Sequence, residues 1–207
     1  MNTAEAVSRA ASAVRVQAVW PGPGESGDPP AVPGFIESTF PALVCAVADR
    51  CLTVRHCTPP GPVPHGDRTG VVLVSRYGDR ATASAVARAV DDGTRMPSLL
   101  FFQSVPNAVA GRVAARWGLA GPIVCVSPVG DARAEGMDIA DLLIADGDAD
   151  EALVVLAEQG WTDGEPDRAE ALLVTARAPG SRAGAEHPSK NPDVIAPPVT
   201  DRGGEPS

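Results

Sequence analysis

The chain has 207 residues, of which 44% are hydrophobic, and a formal net charge of -9. That is enough apolar material for one globular domain with tails, and the acidic balance argues against nucleic acid or an anionic membrane as partner, since both call for a basic footprint. No run of about 18 apolar residues occurs, and the opening MNTAEAVSRAA lacks the basic-then-apolar order of a secretion signal, so the sequence reads as cytoplasmic.

In chain order, residues 1–13 are polar and Ala-rich and read as a flexible N-terminus. Val14 to Trp20 alternates as VRVQAVW and predicts a half-exposed or edge strand. Pro21 to Gly34 is dense in Pro and Gly and predicts an exposed connection; its Gly22, Gly24 and Gly27 do not follow a strand in the GxGxxG pattern, so no nucleotide site is read there. Phe40 to Leu52 places Leu43, Val44, Val47, Cys51 and Leu52 at helical spacing. After a second Pro/Gly loop, Thr58 to Arg68, the run TGVVLVS from Thr69 to Ser75 predicts a buried strand. Asp79 is placed to cap a helix over Arg80 to Val90, closed by Asp91-Asp92-Gly93.

The stretch from Pro97 to Glu158 is the most organised. A turn at Pro106-Asn107 leads into a small-residue amphipathic helix, Ala108 to Trp117, with Gly118 where a left-handed residue ends a helix. Ile123 to Val126 predicts a buried strand, Gly130-Asp131 opens a second helix running to about Ala145, and Ala152 to Leu156 predicts another buried strand after the turn at Gly147-Asp148. One more strand is predicted over Ala169 to Ala176. Helix, strand, helix, strand is the order of an α/β layer. From Arg177 to Ser207 the chain is rich in Pro, Gly and charge and reads as a disordered tail, because so little apolar surface cannot offset the entropy of ordering.

The motifs SxPNxxAGxVAxxxGLxGP, Ser104 to Pro122, and LLIADGDADEALVVLAE, Leu142 to Glu158, make this stretch resemble the N-terminal half of a β-ketoacyl synthase, the condensing enzymes of fatty acid and polyketide assembly. The resemblance implies a thiolase-like half: a mixed sheet of about five strands with helices on both faces, spanning residues 14–176. It also implies that the last strand crosses the middle of the sheet, and that a sharp turn after the Ile123–Val126 strand presents a catalytic cysteine at the start of a long buried helix. Counting without gaps from Gly121 and from Gly147 puts that cysteine position at Gly130. A complete condensing enzyme is about twice as long, and its second half supplies two catalytic histidines. None of His56, His65 and His187 maps to either.

Without a side chain Gly130 cannot form an acyl-enzyme. Asp131 and Glu135 place carboxylates in the first helical turn, the position favourable to an anion; Asp131 also reads as a plain helix cap. Cys125, five residues upstream, sits within an apolar strand and reads as a small buried hydrophobe. Asn107 reads as a capping or turn residue. Arg112 and Arg116, four apart, could meet a phosphopantetheine carrier or form a solvated face. The four cysteines, Cys45, Cys51, Cys57 and Cys125, show no CxxC pair and no His at metal-ligand spacing, so they read as reduced, and no metal or cofactor is expected.

The reading is therefore a non-catalytic ketosynthase-like accessory protein of polyketide or specialised fatty acid biosynthesis. Its expected partner is a second copy or a ketosynthase, with an acyl carrier protein as a further candidate, and Ala108 to Val126 is the expected interface. In condensing enzymes the corresponding strand pairs across the dimer axis; a strand interior to the sheet would look the same in sequence. Two other readings are an acyltransferase or hydrolase whose catalytic groups the sequence does not reveal, and a decayed remnant without activity. A chain ending at Ala176 is expected to fold as stably as the full chain; a large drop in Tm on truncation would show that the tail packs on the domain.

Overall fold

The computed structural model describes residues 12–25, 27–56, 63–162 and 164–177. Most of the N-terminus read over residues 1–13 and of the tail read over residues 177–207, with Cys57 and His187, lies outside the described residues. Within them the elements in order are β1 (Ala13–Trp20), α1 (Phe40–His56), β2 (Thr69–Val74), α2 (Arg80–Asp91), α3 (Ser98–Gln103), α4 (Pro106–Trp117), β3 (Ile123–Val126), α5 (Ala132–Ala145), β4 (Glu151–Glu158) and β5 (Arg168–Thr175).

The strands form one sheet in the order β1-β5-β4-β2-β3. β2 pairs parallel with both β3 and β4, while β5 runs antiparallel to β4 and to β1, so the sheet is mixed. Successive side chains of a strand point to opposite faces, and here both faces are apolar. Val71, Leu73, Leu153, Val155, Ala171 and Leu173 join the core beneath α1 and α4, and Val72, Val74, Ala152, Val154, Leu172 and Val174 join the core beneath α5. This is the α/β, thiolase-like half with helices on both faces.

Four details depart from the sequence reading. β3, read as a buried strand, has Ile123 38% exposed and its other residues half-buried, because it lies at the edge of the sheet rather than inside it. The centre of the sheet is β4, and β5, the last strand, lies one place off centre, between β4 and β1. Residues 98–103 form the helix α3, too short for a periodic signal. Finally, α5 is not a long buried helix: of its 14 residues only Gly136 and Ala140 are buried, for it covers its side of the sheet alone.

The entry into β3 shows how closely the layers approach. Gly121 N–H donates to Thr69 O, and a Cβ built on Gly121 would stand 2.5 Å from that oxygen and 2.8 Å from Gly70 N. Both are backbone atoms of β2 that cannot turn aside. Gly121→Ala is therefore expected to lower stability by about 1–3 kcal/mol, read as a shifted urea midpoint with unchanged slope.

Candidate functional site

The parallel strands β2, β3 and β4 end together, and ligands of α/β sheets bind outside the carboxyl ends of such strands. Here the chain leaves β3 through Ser127, Pro128, Val129 and Gly130 and enters α5. Asp131 is the N-cap of α5, its carboxylate accepting from Ala134 N–H at 2.7 Å, as its cap reading required. The Glu135 carboxylate turns back along the helix: Oε1 accepts from Gly130 N–H and Oε2 from Val129 N–H at 3.3 Å. The carbonyls of the same two residues accept from the Arg76 guanidinium, Gly130 O at 2.7 Å and Val129 O at 3.4 Å. Arg76 N–H in turn donates to Glu158 at the end of β4.

The consequence is chemical. At a helix N-terminus free N–H groups and the dipole welcome an anion, and here two carboxylates of the chain itself stand there, Asp131 on Ala134 N–H and Glu135 on the N–H groups of the preceding turn. Gly130 contributes no side chain, and a Cβ there would meet Glu135 Oε1 at 3.2 Å.

The other candidate residues scatter. Cys125 is half-buried and lines a cavity of about 80 Å³ with Ser75, Gly78, Pro106 and Ser127; burial pushes its thiol up from its ordinary range. Burial likewise raises Cys45 to about 11 and Cys51 to about 12. Asn107 does not cap α4, because the helix begins one residue earlier, at Pro106, with Val105 as N-cap and no side-chain cap bond; proline fits the first helical position without losing a needed N–H. Arg116 is taken by Asp49 of α1, at 3.1 Å, and the same carboxylate accepts from Trp117 Nε1–H at 2.7 Å. Arg112 is exposed. His56 and His65 lie at the opposite end of the sheet, near Glu151, where β4 begins. Gly24 and Gly27 have φ of 78° and 101° in a turn-rich connection.

Arg76 and Glu158 went unread in the sequence, and Glu135, read as a first-turn carboxylate, was not seen to reach back to the Val129 and Gly130 N–H groups. A Glu four residues past an N-cap carries a faint signal of reach-back capping; nothing in the sequence tied Arg76 to the loop.

Residues 41–162, more than half the chain, match the family model described as the β-ketoacyl synthase N-terminal domain. The chain belongs to that family. Solved structures agree in fold. The ketosynthase ApeO in complex with its chain length factor ApeC, from Xenorhabdus doucetiae, matches at 17% identity and a TM-score of 0.61 over 82% of this chain and 80% of the other. The ishigamide ketosynthase/chain length factor matches at 21% and 0.57 over 70% and 45%. A β-ketoacyl synthase from Burkholderia phymatum matches at 18% and 0.58 over 78% and 52%. Against the last two, this ketosynthase-type chain spans about half of the matched length; in the first, near-equal shares mean that the matched chain has nearly this length. A comparison with curated protein sequences gave no match.

The raised thiols generate a prediction. In the folded protein Cys45, Cys51 and Cys125 should react with iodoacetamide at pH 8 at least about tenfold more slowly than a free cysteine, because thiolate is the reactive form. Peptide mapping after timed quenching reads each rate, and rapid labelling of Cys125 would mark it as an accessible nucleophile.

Proposed function

We propose that this chain is a non-catalytic, ketosynthase-like accessory protein in polyketide or specialised fatty acid assembly, associating with a condensing enzyme or with a second copy of itself. The observation that carries this reading is the turn before α5. Gly130, at the position the family resemblance assigns to the nucleophilic cysteine, has no side chain, and its N–H is bound by Glu135. Covalent acyl transfer of the family's kind needs a nucleophile at that position and free donors for the developing oxyanion; here position 130 has no side chain, and Glu135 takes the Val129 and Gly130 N–H groups. The similarity to structures whose names pair a ketosynthase with a chain length factor supports association with a condensing enzyme as the role that is left.

Exposed aromatic surface supports a covered face. Tyr77, Phe101, Phe102 and Trp161 are each more than half exposed, at 51%, 61%, 68% and 58%. Trp161 stacks over Arg80 and meets Tyr77 edge-on. Aromatic residues left in water at this density mark interaction surfaces. The interface proposed from the sequence, Ala108 to Val126, ends in the β3 edge, whose outward backbone groups await a strand.

Two measurements test the reading. Intact mass spectrometry after incubation with acyl- and malonyl-loaded carriers should show an unchanged mass, and a stoichiometric adduct on Cys125 or any other residue would overturn the non-catalytic assignment. Light scattering at micromolar concentration should show either a dimer of the chain alone or a complex with an added condensing enzyme. Val124→Lys, which puts a charge on the open-edged strand, should weaken that association by roughly tenfold or more, about 1.4 kcal/mol, with the helical signal retained. A wild-type chain that stays monomeric with and without the enzyme removes the interface assignment.

A further inference from the structure

The end of the sheet away from Gly130 holds two buried ionisable groups that the proposed function does not use. His56 is the last residue of α1 and Glu151 the first of β4. Their side chains are 6% and 10% exposed, and His56 Nε2 lies 3.8 Å from Glu151 Oε1, beyond hydrogen-bonding reach. Nε2 is buried and has no hydrogen-bond partner among the described residues. Glu151 is hardly better served. The Thr69 hydroxyl stands 3.5 Å from its Oε1 but 3.0 Å from the His65 carbonyl, and its single proton serves the nearer acceptor.

The surrounding charges do not complete the pair. Arg68 is held by Asp150 at 3.0 Å and by Gly147 O at 2.7 Å, and Arg15 donates to Thr175 Oγ1 at 2.8 Å. Arg55 is exposed, and the Cys51 thiol, on the same helix, is kept neutral by burial. Asp67 and Asp148 lie toward Arg68, and His65 faces Asp150. An imidazole and a carboxylate thus face each other, largely buried and 3.8 Å apart, with no geometric hydrogen bond to His56 Nε2 among the described residues. Beside them opens a cavity of about 500 Å³, lined by both and by Arg55, His65, Asp150 and Thr175.

We infer that His56 and Glu151 form an acid-operated latch: proton uptake at His56 frees the last turn of α1 from the start of β4, and the imidazolium moves into the adjoining cavity. An imidazolium held in place would be desolvated with one incomplete partner, whereas the cavity offers it water within a side chain's swing. Burial, helped by the Arg55 charge, lowers the His56 pKa below its ordinary value of 6.5 against the opposing pull of Glu151. The closed latch therefore binds fewer protons than the open or unfolded form. Its stability is fully present above the ordinary histidine range and is lost as pH falls through about 6.5 toward the lower, folded value.

The test uses the full chain. Imidazole resonances are followed by NMR from pH 8 to 5, with His56 assigned by loss of its signal in His56→Gln and with His65 and His187 as internal references. Amide exchange over residues 52–56 and 151–153, corrected for intrinsic rate, is followed over the same range. His56 should titrate below 6.5, and protection of these amides should fall by up to about tenfold per pH unit below that point. His56→Gln, which cannot take the proton, should show a flat profile. Glu151→Gln removes the opposing pull and should move the His56 midpoint lower still. The latch is refuted by an equal acid response in His56→Gln, or by a His56 midpoint at or above 6.5 with protection that rises in acid, since the pair would then close on the proton. If His56→Gln does not fold, the wild-type and Glu151→Gln titrations decide: a midpoint unmoved by Glu151→Gln shows the two groups uncoupled and overturns the proposal.

Discussion

A strand that is apolar on successive residues cannot leave either face in water, and the organisation of this molecule follows from that constraint. Every residue of β2 is buried, as are the first five of β4, so each face of the sheet must carry a helical layer. α1 and α4 supply one. The other is α5, brought flush by Gly136, where a Cβ would meet Val74 Cγ2 and Val154 Cγ1 at 2.9 Å. A single helix leaves its own outer side open, which is why most of α5 is partly exposed and Leu142 is 43% exposed.

The same helix fixes the chemistry of the carboxyl end of the sheet. Because α5 must lie across β2 and β4, its N-terminus points at the turn leaving β3, and its unpaired N–H groups need acceptors. In an enzyme of this family that need and the needs of a substrate would coincide. Here Asp131 meets it at Ala134 N–H, Glu135 binds the N–H groups of Val129 and Gly130 just before the helix, and Arg76 holds the opposing carbonyls. The turn is thereby closed on itself through both of its backbone polarities.

How much of this could be read in advance depends on the range of the interaction. The helices around Val47 and Ala110 and the strands around Val72 and Val154 declare themselves through periods set by local geometry, and the starts of α2 and α5 through the short-range caps at Asp79 and Asp131. The placement of Gly130 ahead of a helix was legible for the same reason. What was not legible is pairing across the fold. Nothing local distinguishes β3 at the edge from an interior strand, since both are apolar; nothing local ties Arg76 to Gly130, 54 positions away; and the facing of His56 and Glu151 depends on the register that sets Thr69 beside Glu151.

The two edges of the sheet are unlike, and the contrast bears on which one is built to be covered. Along β1 the register shifts between Val14 and Val16, Arg15 and Gln17 engage Thr175 and Glu170 on β5, and Pro21 follows the last residue. A bulge and a terminal proline are devices that blunt an edge against further strands. β3 contains neither charge nor bulge, yet Pro122 and Pro128 confine its ladder to four residues. A strand added there gains few hydrogen bonds, so on the proposed reading most of the association energy has to come from side chains beyond the ladder. The exit of β3 and the junction of α3 with α4 share one small cavity, through Ser127 and Pro106, which brings the exposed Phe101 and Phe102 of α3 to the same end of the molecule as the edge they would reinforce.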